Sequence, residues 1–139
     1  MTRLFGPPPL SSDIEALALA ALARFPEAFR VHLGDIIVTV EEFADDGTLT
    51  QLGVANPFEL TGLYEGIPLG KKHDAPYDTL PDRIRLFRQP ILDEWIDRET
   101  ETLEHLVTHI LIHEVGHHFG LSDEAMHALE HIAEQDAPA

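Results

Sequence analysis

Apolar residues recur at helical intervals near both ends of the chain and alternate with polar ones in between. Near the start, Leu17, Ala20, Ala21 and Ala28 follow the helical period, and Ser12-x-x-Glu15 has capping-box spacing, which predicts a helix over about 13–24 ended by Pro26. The run Asp35 to Phe43 is β-branched and bounded by Gly34 and by Asp45-Asp46-Gly47, so it reads as a strand. Residues 44–62 read as loop, and 62–70 as a short strand or a connecting loop, given their glycines and Pro68. Arg83 to Arg88 alternates around Ile84 and Leu86 between Pro81 and Pro90, the pattern of a half-buried strand near a sheet edge. The last forty residues predict a long helix over about 98–118, a break at Gly120, and a second helix starting at Ser122 or Asp123. Leu103, Leu106, Val107 and Ile110 form the stripe that packs this long helix onto the sheet.

With no repeat and no linker, the expectation is an extended arm over residues 1–11, containing Pro7 to Pro9, and a single α+β domain over 12–139. A chain of 139 residues, 44% hydrophobic, can bury one core. Its net charge of −16 repels nucleic acid and anionic membrane surfaces on average. Because cysteine is absent, disulfides and thiol nucleophiles are excluded, and His, Asp and Glu remain as metal ligands. Arg3 and the run Ala16 to Ala23 outline an export signal, but the prolines, Asp13 and Glu15 between them suit a helix start instead. The run is also too short to span a bilayer, so cytoplasmic residence is expected.

The chemistry concentrates in His113-Glu114-Val115-Gly116-His117. At 100° per residue, His113, Glu114 and His117 fall in the arc of Leu103, Leu106 and Ile110, so polar groups interrupt a face that should be buried. Uncompensated, they would cost several kcal/mol, and a metal ion compensates them directly. Residues at i and i+4 lie one turn apart, so both imidazoles can reach one tetrahedral ion, with Glu114 set round the helix as catalytic base. With 9 histidines, composition alone produces this five-residue pattern in about one chain in twenty. Requiring Gly120 and an acidic or His residue at 123 lowers that to about one in a thousand. Gly120 lets the chain reverse, so Asp123 can return its side chain to the ion.

The segment H-E-V-G-H-H-F-G-L-S-D resembles the extended motif of the small bacterial zincin-like metallopeptidases, the minimal zincins. G-L-Y-E-G-I-P-L (62–69) and L-P-D-R-I-R-L-F-R-Q-P (80–90) also resemble that family, so the likeness covers roughly residues 60–130. It implies a compact zincin-like core in which a small twisted sheet packs against a long active-site helix and flanking helices. It also implies one Zn2+ per chain held by His113, His117 and Asp123, Glu114 as base, and a peptide or protein as substrate. The methionine turn of metzincins has no room here, since Met126 follows Asp123 by three residues.

Other residues carry weaker signals. Tyr64, Tyr77 and His73 are oxyanion candidates by type alone, with packing or surface roles the simpler reading. His105 and His109 extend the ladder from His113 but bear toward the polar side; His127 is the fallback third ligand, and His118 and His131 carry no signal. Arg83, Arg85 and Arg88 read first as ion-pair partners and second as an edge favouring acidic peptide. The rival to a peptidase is a non-catalytic metal-binding or interaction module, in which the ion only clamps two helices; Glu114 is the residue such a module does not need.

Overall fold

The computed structural model describes residues 7–31, 33, 35–66 and 82–135. Ten elements follow in order: helix α1 (Ser11–Ala23), α2 (Glu27–Arg30), strand β1 (Ile37–Glu41), α3 (Asp46–Leu52), a 3-10 turn (Pro57–Glu59), β2 (Gly62–Glu65), β3 (Arg83–Phe87), α4 (Arg88–Asp97), α5 (Leu103–Phe119) and α6 (Asp123–Gln135). This is the expected α+β class, six helices around a small mixed sheet.

The sheet order is β1-β3-β2, with β3 parallel to β1 and antiparallel to β2. The expectation that Arg83 to Arg88 lies near a sheet edge is therefore corrected: β3 is central, and Ile84, Arg85, Leu86 and Phe87 are all buried. Of the two prolines that suggested an edge, Pro81 lies outside the described residues and Pro90 does not sit in the ladder. Pro90 falls in the first turn of α4, where a missing N–H costs nothing. The alternation on β3 separates two faces, each covered. Ile84 and Leu86 join the main core with Ile14, Ala18 and Ala21 of α1 and Leu106, Val107, Ile110 and Leu111 of α5. Phe87 packs on the opposite face with Ala44 and Leu49.

Arg85 is tolerated on that second face because its guanidinium is almost fully engaged. Nε and Nη2 donate to the two Glu41 carboxylate oxygens at 2.8 and 3.0 Å, Nη2 also to Asp45 at 2.8 Å, and Nη1 to Thr48 Oγ1 at 3.0 Å. Of the two readings of the arginines, ion pairing therefore describes them: Arg83 pairs with Glu65 and Arg88 with Glu42.

Element limits differ from expectation where side chains cap unexpectedly. The Asp13 carboxylate accepts from Leu10 N–H at 2.7 Å, so α1 starts at Ser11, with Ser12 inside it rather than capping it. Asp45 accepts from Thr48 N–H at 3.1 Å and opens α3 inside a stretch read as loop. The long helix expected over about 98–118 starts only at Leu103, as α5, and the unexpected α4 (Arg88–Asp97) precedes it. Thr102 caps α5 through a 3.1 Å bond from His105 N–H.

Candidate metal centre

Helix α5 is buried on most sides. Leu106, Val107, Ile110, Leu111, Ile112 and Val115 are enclosed by the sheet, α1 and α6, and a strip of histidines lies along the less buried side. His109, His113 and His117 stand one turn apart on that strip. Their successive ring centroids lie 4.4 and 6.2 Å apart. His113 is half-buried and His117 exposed.

The reversal at Gly120 is as the sequence suggests. Gly120 has φ 70°; its N–H donates to His117 C=O at 3.2 Å, and Leu121 N–H donates to Gly116 C=O at 2.8 Å, which together close the helix. Ser122 Oγ then accepts from Ala125 N–H at 3.1 Å and starts α6. The two helices approach closely at Gly116, where a Cβ would come within 2.4 Å of Met126 Sδ. A glycine at this position is what lets α6 lie against α5.

That approach brings the Glu130 carboxylate to the histidine strip. Glu130 Oε1 lies 2.6 Å from His109 Nδ1, and ligand atoms of His109, His113 and Glu130 all fall within 4.8 Å of one another, which no other His, Cys, Asp or Glu trio does among the described residues. Asp123 sits at the exposed first turn of α6, near enough for its charge to act on His113. The ligand atoms of the expected trio, His113, His117 and Asp123, do not gather within that distance, and His117 and Asp123 are both exposed. His127 is exposed and outside both. Glu130 went unread in the sequence, although it follows Asp123 by two helical turns.

Burial, and next His109, hold the His113 pKa below the ordinary imidazole value; Glu130 and Asp123 oppose them. A neutral imidazole is the form that binds a metal. An ion held about 2.1 Å from each ring nitrogen places two ligating ring centroids about 5 Å apart, a value that the two observed separations bracket. The donor set, two or three imidazoles with a carboxylate, suits zinc.

Glu114 faces the sheet. Its Oε2 accepts from the Tyr64 N–H of β2 at 3.1 Å, and burial raises its pKa against the opposing effects of that N–H and of His117. The Thr61–Phe87 backbone bond sets the phase of the β2–β3 ladder, so Gly62 and Tyr64 turn their N–H and C=O groups away from β3. Tyr64 is held in turn: its ring stacks on His118 at 4.0 Å, and its hydroxyl donates to Asp82 at 2.8 Å. The hydroxyl proposed from residue type as an oxyanion donor is thus bonded to Asp82, and the group meeting the site is the Tyr64 backbone N–H. Side-chain lettering carries no signal for that. His73 and Tyr77 lie outside the described residues.

The family model described as zincin-like metallopeptidase matches residues 33–132, from just before β1 into α6. No curated protein matches the chain. Among the described residues no helix is long and apolar enough to cross a membrane.

Proposed function

The chain belongs to the zincin-like metallopeptidase family, and on that premise we propose that it is a zinc-dependent peptidase using His113, His117 and Asp123 as ligands and Glu114 as general base. The observation that carries the reading is the position of Glu114. It follows the first histidine of the pair, its carboxylate is fixed by a strand N–H instead of an ion pair, and burial keeps it a stronger base than an exposed glutamate. A site that only clamps helices has no use for such a group.

Zinc, when bound, supplies Lewis acidity toward the substrate carbonyl and the attacking water. The chain's own residues do the rest. Glu114 takes the proton of the attacking water and passes it to the leaving amine, while the Tyr64 N–H keeps the carboxylate oriented. The outer side of β2 is the sheet edge that meets Glu114, and an extended peptide is expected to lie along it. That role was expected of Arg83 to Arg88, which the sheet order excludes.

The Glu114→Gln variant tests the reading against the non-catalytic module. It keeps shape but not basicity, so zinc content and melting temperature stay unchanged while peptide-library cleavage falls by at least ~100-fold. Equal cleavage by both forms removes the base role. Zinc retained by both with no cleavage by either makes the module the better account.

A further inference from the structure

We propose that the α5–α6 corner has a second seat for the ion, formed by His109, His113 and Glu130, one helical turn before the catalytic seat and exclusive with it. The inference rests on the metallopeptidase reading for the first seat, but the donors of the second are set by the structure independently of it. His109 and His113 have the same i, i+4 relation as His113 and His117, and their rings are closer, 4.4 against 6.2 Å. Glu130 supplies a carboxylate already 2.6 Å from His109 Nδ1, and all three ligand atoms lie within 4.8 Å of one another in a half-buried setting. Two imidazoles and one glutamate are a donor set that zinc accepts with a position left open.

Exclusivity follows from His113, which belongs to both sets. A neutral imidazole has one nitrogen lone pair to give, so His113 serves one ion at a time. The corner therefore holds one ion in either of two positions along α5, separated by about 6 Å of helix rise. They differ in chemistry. In the first seat the residue after the leading histidine is Glu114; in the second it is Ile110, which is buried in the core. An ion in the second seat lacks a base at the corresponding position, so this seat stores the metal in a silent state and sets the fraction of chains that are active.

The test is equilibrium dialysis of the full-length chain with Zn2+, repeated with Co2+, whose visible absorption reports its ligand geometry. The wild type binds one ion. His117→Ala, which removes the first seat, still binds one, with a changed cobalt spectrum, and His117→Ala combined with Glu130→Gln binds none. Asp123→Asn, an exposed substitution, repeats the first-seat test should His117→Ala fold poorly by circular dichroism. Folded His117→Ala and Asp123→Asn proteins that bind no ion beside a wild type that binds one overturn the second seat and leave the first standing. A wild type that binds two ions overturns exclusivity. A wild type that binds none overturns both, and with them the zinc reading of the family motif in this chain.

Discussion

Two places in the molecule gather polar side chains against the core, and they close in opposite ways. Behind the sheet, Arg85 is only 7% exposed, yet its cation meets Glu41, Asp45 and Thr48 at 2.8 to 3.0 Å and Glu65 at 3.5 Å. The cluster contains its own counter-charge and is complete. At the α5–α6 corner, His109, His113 and His117 stand in line beside Glu130, whose carboxylate lies 2.6 Å from His109 Nδ1, with no Lys or Arg among them. On the function proposed above, a cation from outside completes that set. Polar groups that neutralise one another hold a fold together, whereas a set that needs something from outside is built to bind it.

The largest expected effect breaks the corner. His113→Ala removes the one ligand common to both seats, so zinc binding and peptide cleavage are lost together. The apo protein's urea midpoint hardly moves, because His113 is only half-buried. Dialysis and a denaturation curve check both halves.

The Arg85 cluster is expected to answer in reverse. Arg85→Ala leaves a void beside Phe87 and three carboxylates without their shared partner, and lowers folding stability by about 3 kcal/mol in urea titration. Zinc affinity stays within about twofold of wild type if the two regions are independent. A large loss of zinc would show that the Arg85 cluster and the α5–α6 corner are coupled.

Gly116→Ala probes the contact that builds the corner. A Cβ 2.4 Å from Met126 Sδ forces α6 away, which costs about 1–3 kcal/mol as overpacking and weakens zinc binding by moving Asp123 and Glu130. Adding Met126→Ala relieves the clash and restores part of both, measured by melting temperature and dialysis.

The smallest effect is in acid. The bond from Arg85 lowers the Glu41 pKa below its ordinary 4.5, and Thr48, then Arg85, lower that of Asp45. Both carboxylates have folded pKa values below their unfolded ones, so their stabilisation is present above about pH 4.5 and is lost as pH falls through the folded values. Urea titrations between pH 6 and 3 should show this slope in the wild type and a shallower one in Arg85→Ala; equal slopes would assign the acid sensitivity elsewhere.

The corner was more legible in the sequence than the sheet surroundings were. Helix period, Gly120 and Ser122 announce α5, the reversal and α6 through local chemistry, and the observed left-handed Gly120 and Ser122 bond match that reading. The strands β1 and β3 were equally plain, but strand order is not a local property. The alternation and the flanking prolines suggested an edge, and only the partners of Arg85 explain why a cation sits on a central strand. Helix α3 was missed because Asp45-Asp46-Gly47 has the letters of a turn, while Asp45 in fact caps a helix that Gly53 ends at φ 71°. Glu130 was missed because its meeting with His109 depends on how closely α6 lies on α5.

The parallel pairing of β1 with β3 also governs how the chain must assemble. Ile37 faces Arg83, and these residues are more than forty positions apart, so the central ladder waits for a long segment to close at a substantial entropic cost. The α5–α6 contacts span far less chain, ten positions for Gly116 and Met126 and 21 for His109 and Glu130. Contacts of low sequence separation form quickly, so during folding the helical hairpin can be in place before the sheet it will rest on. Refolding rates should therefore respond more strongly to changes that loosen the β1–β3 ladder than to changes at the α5–α6 turn.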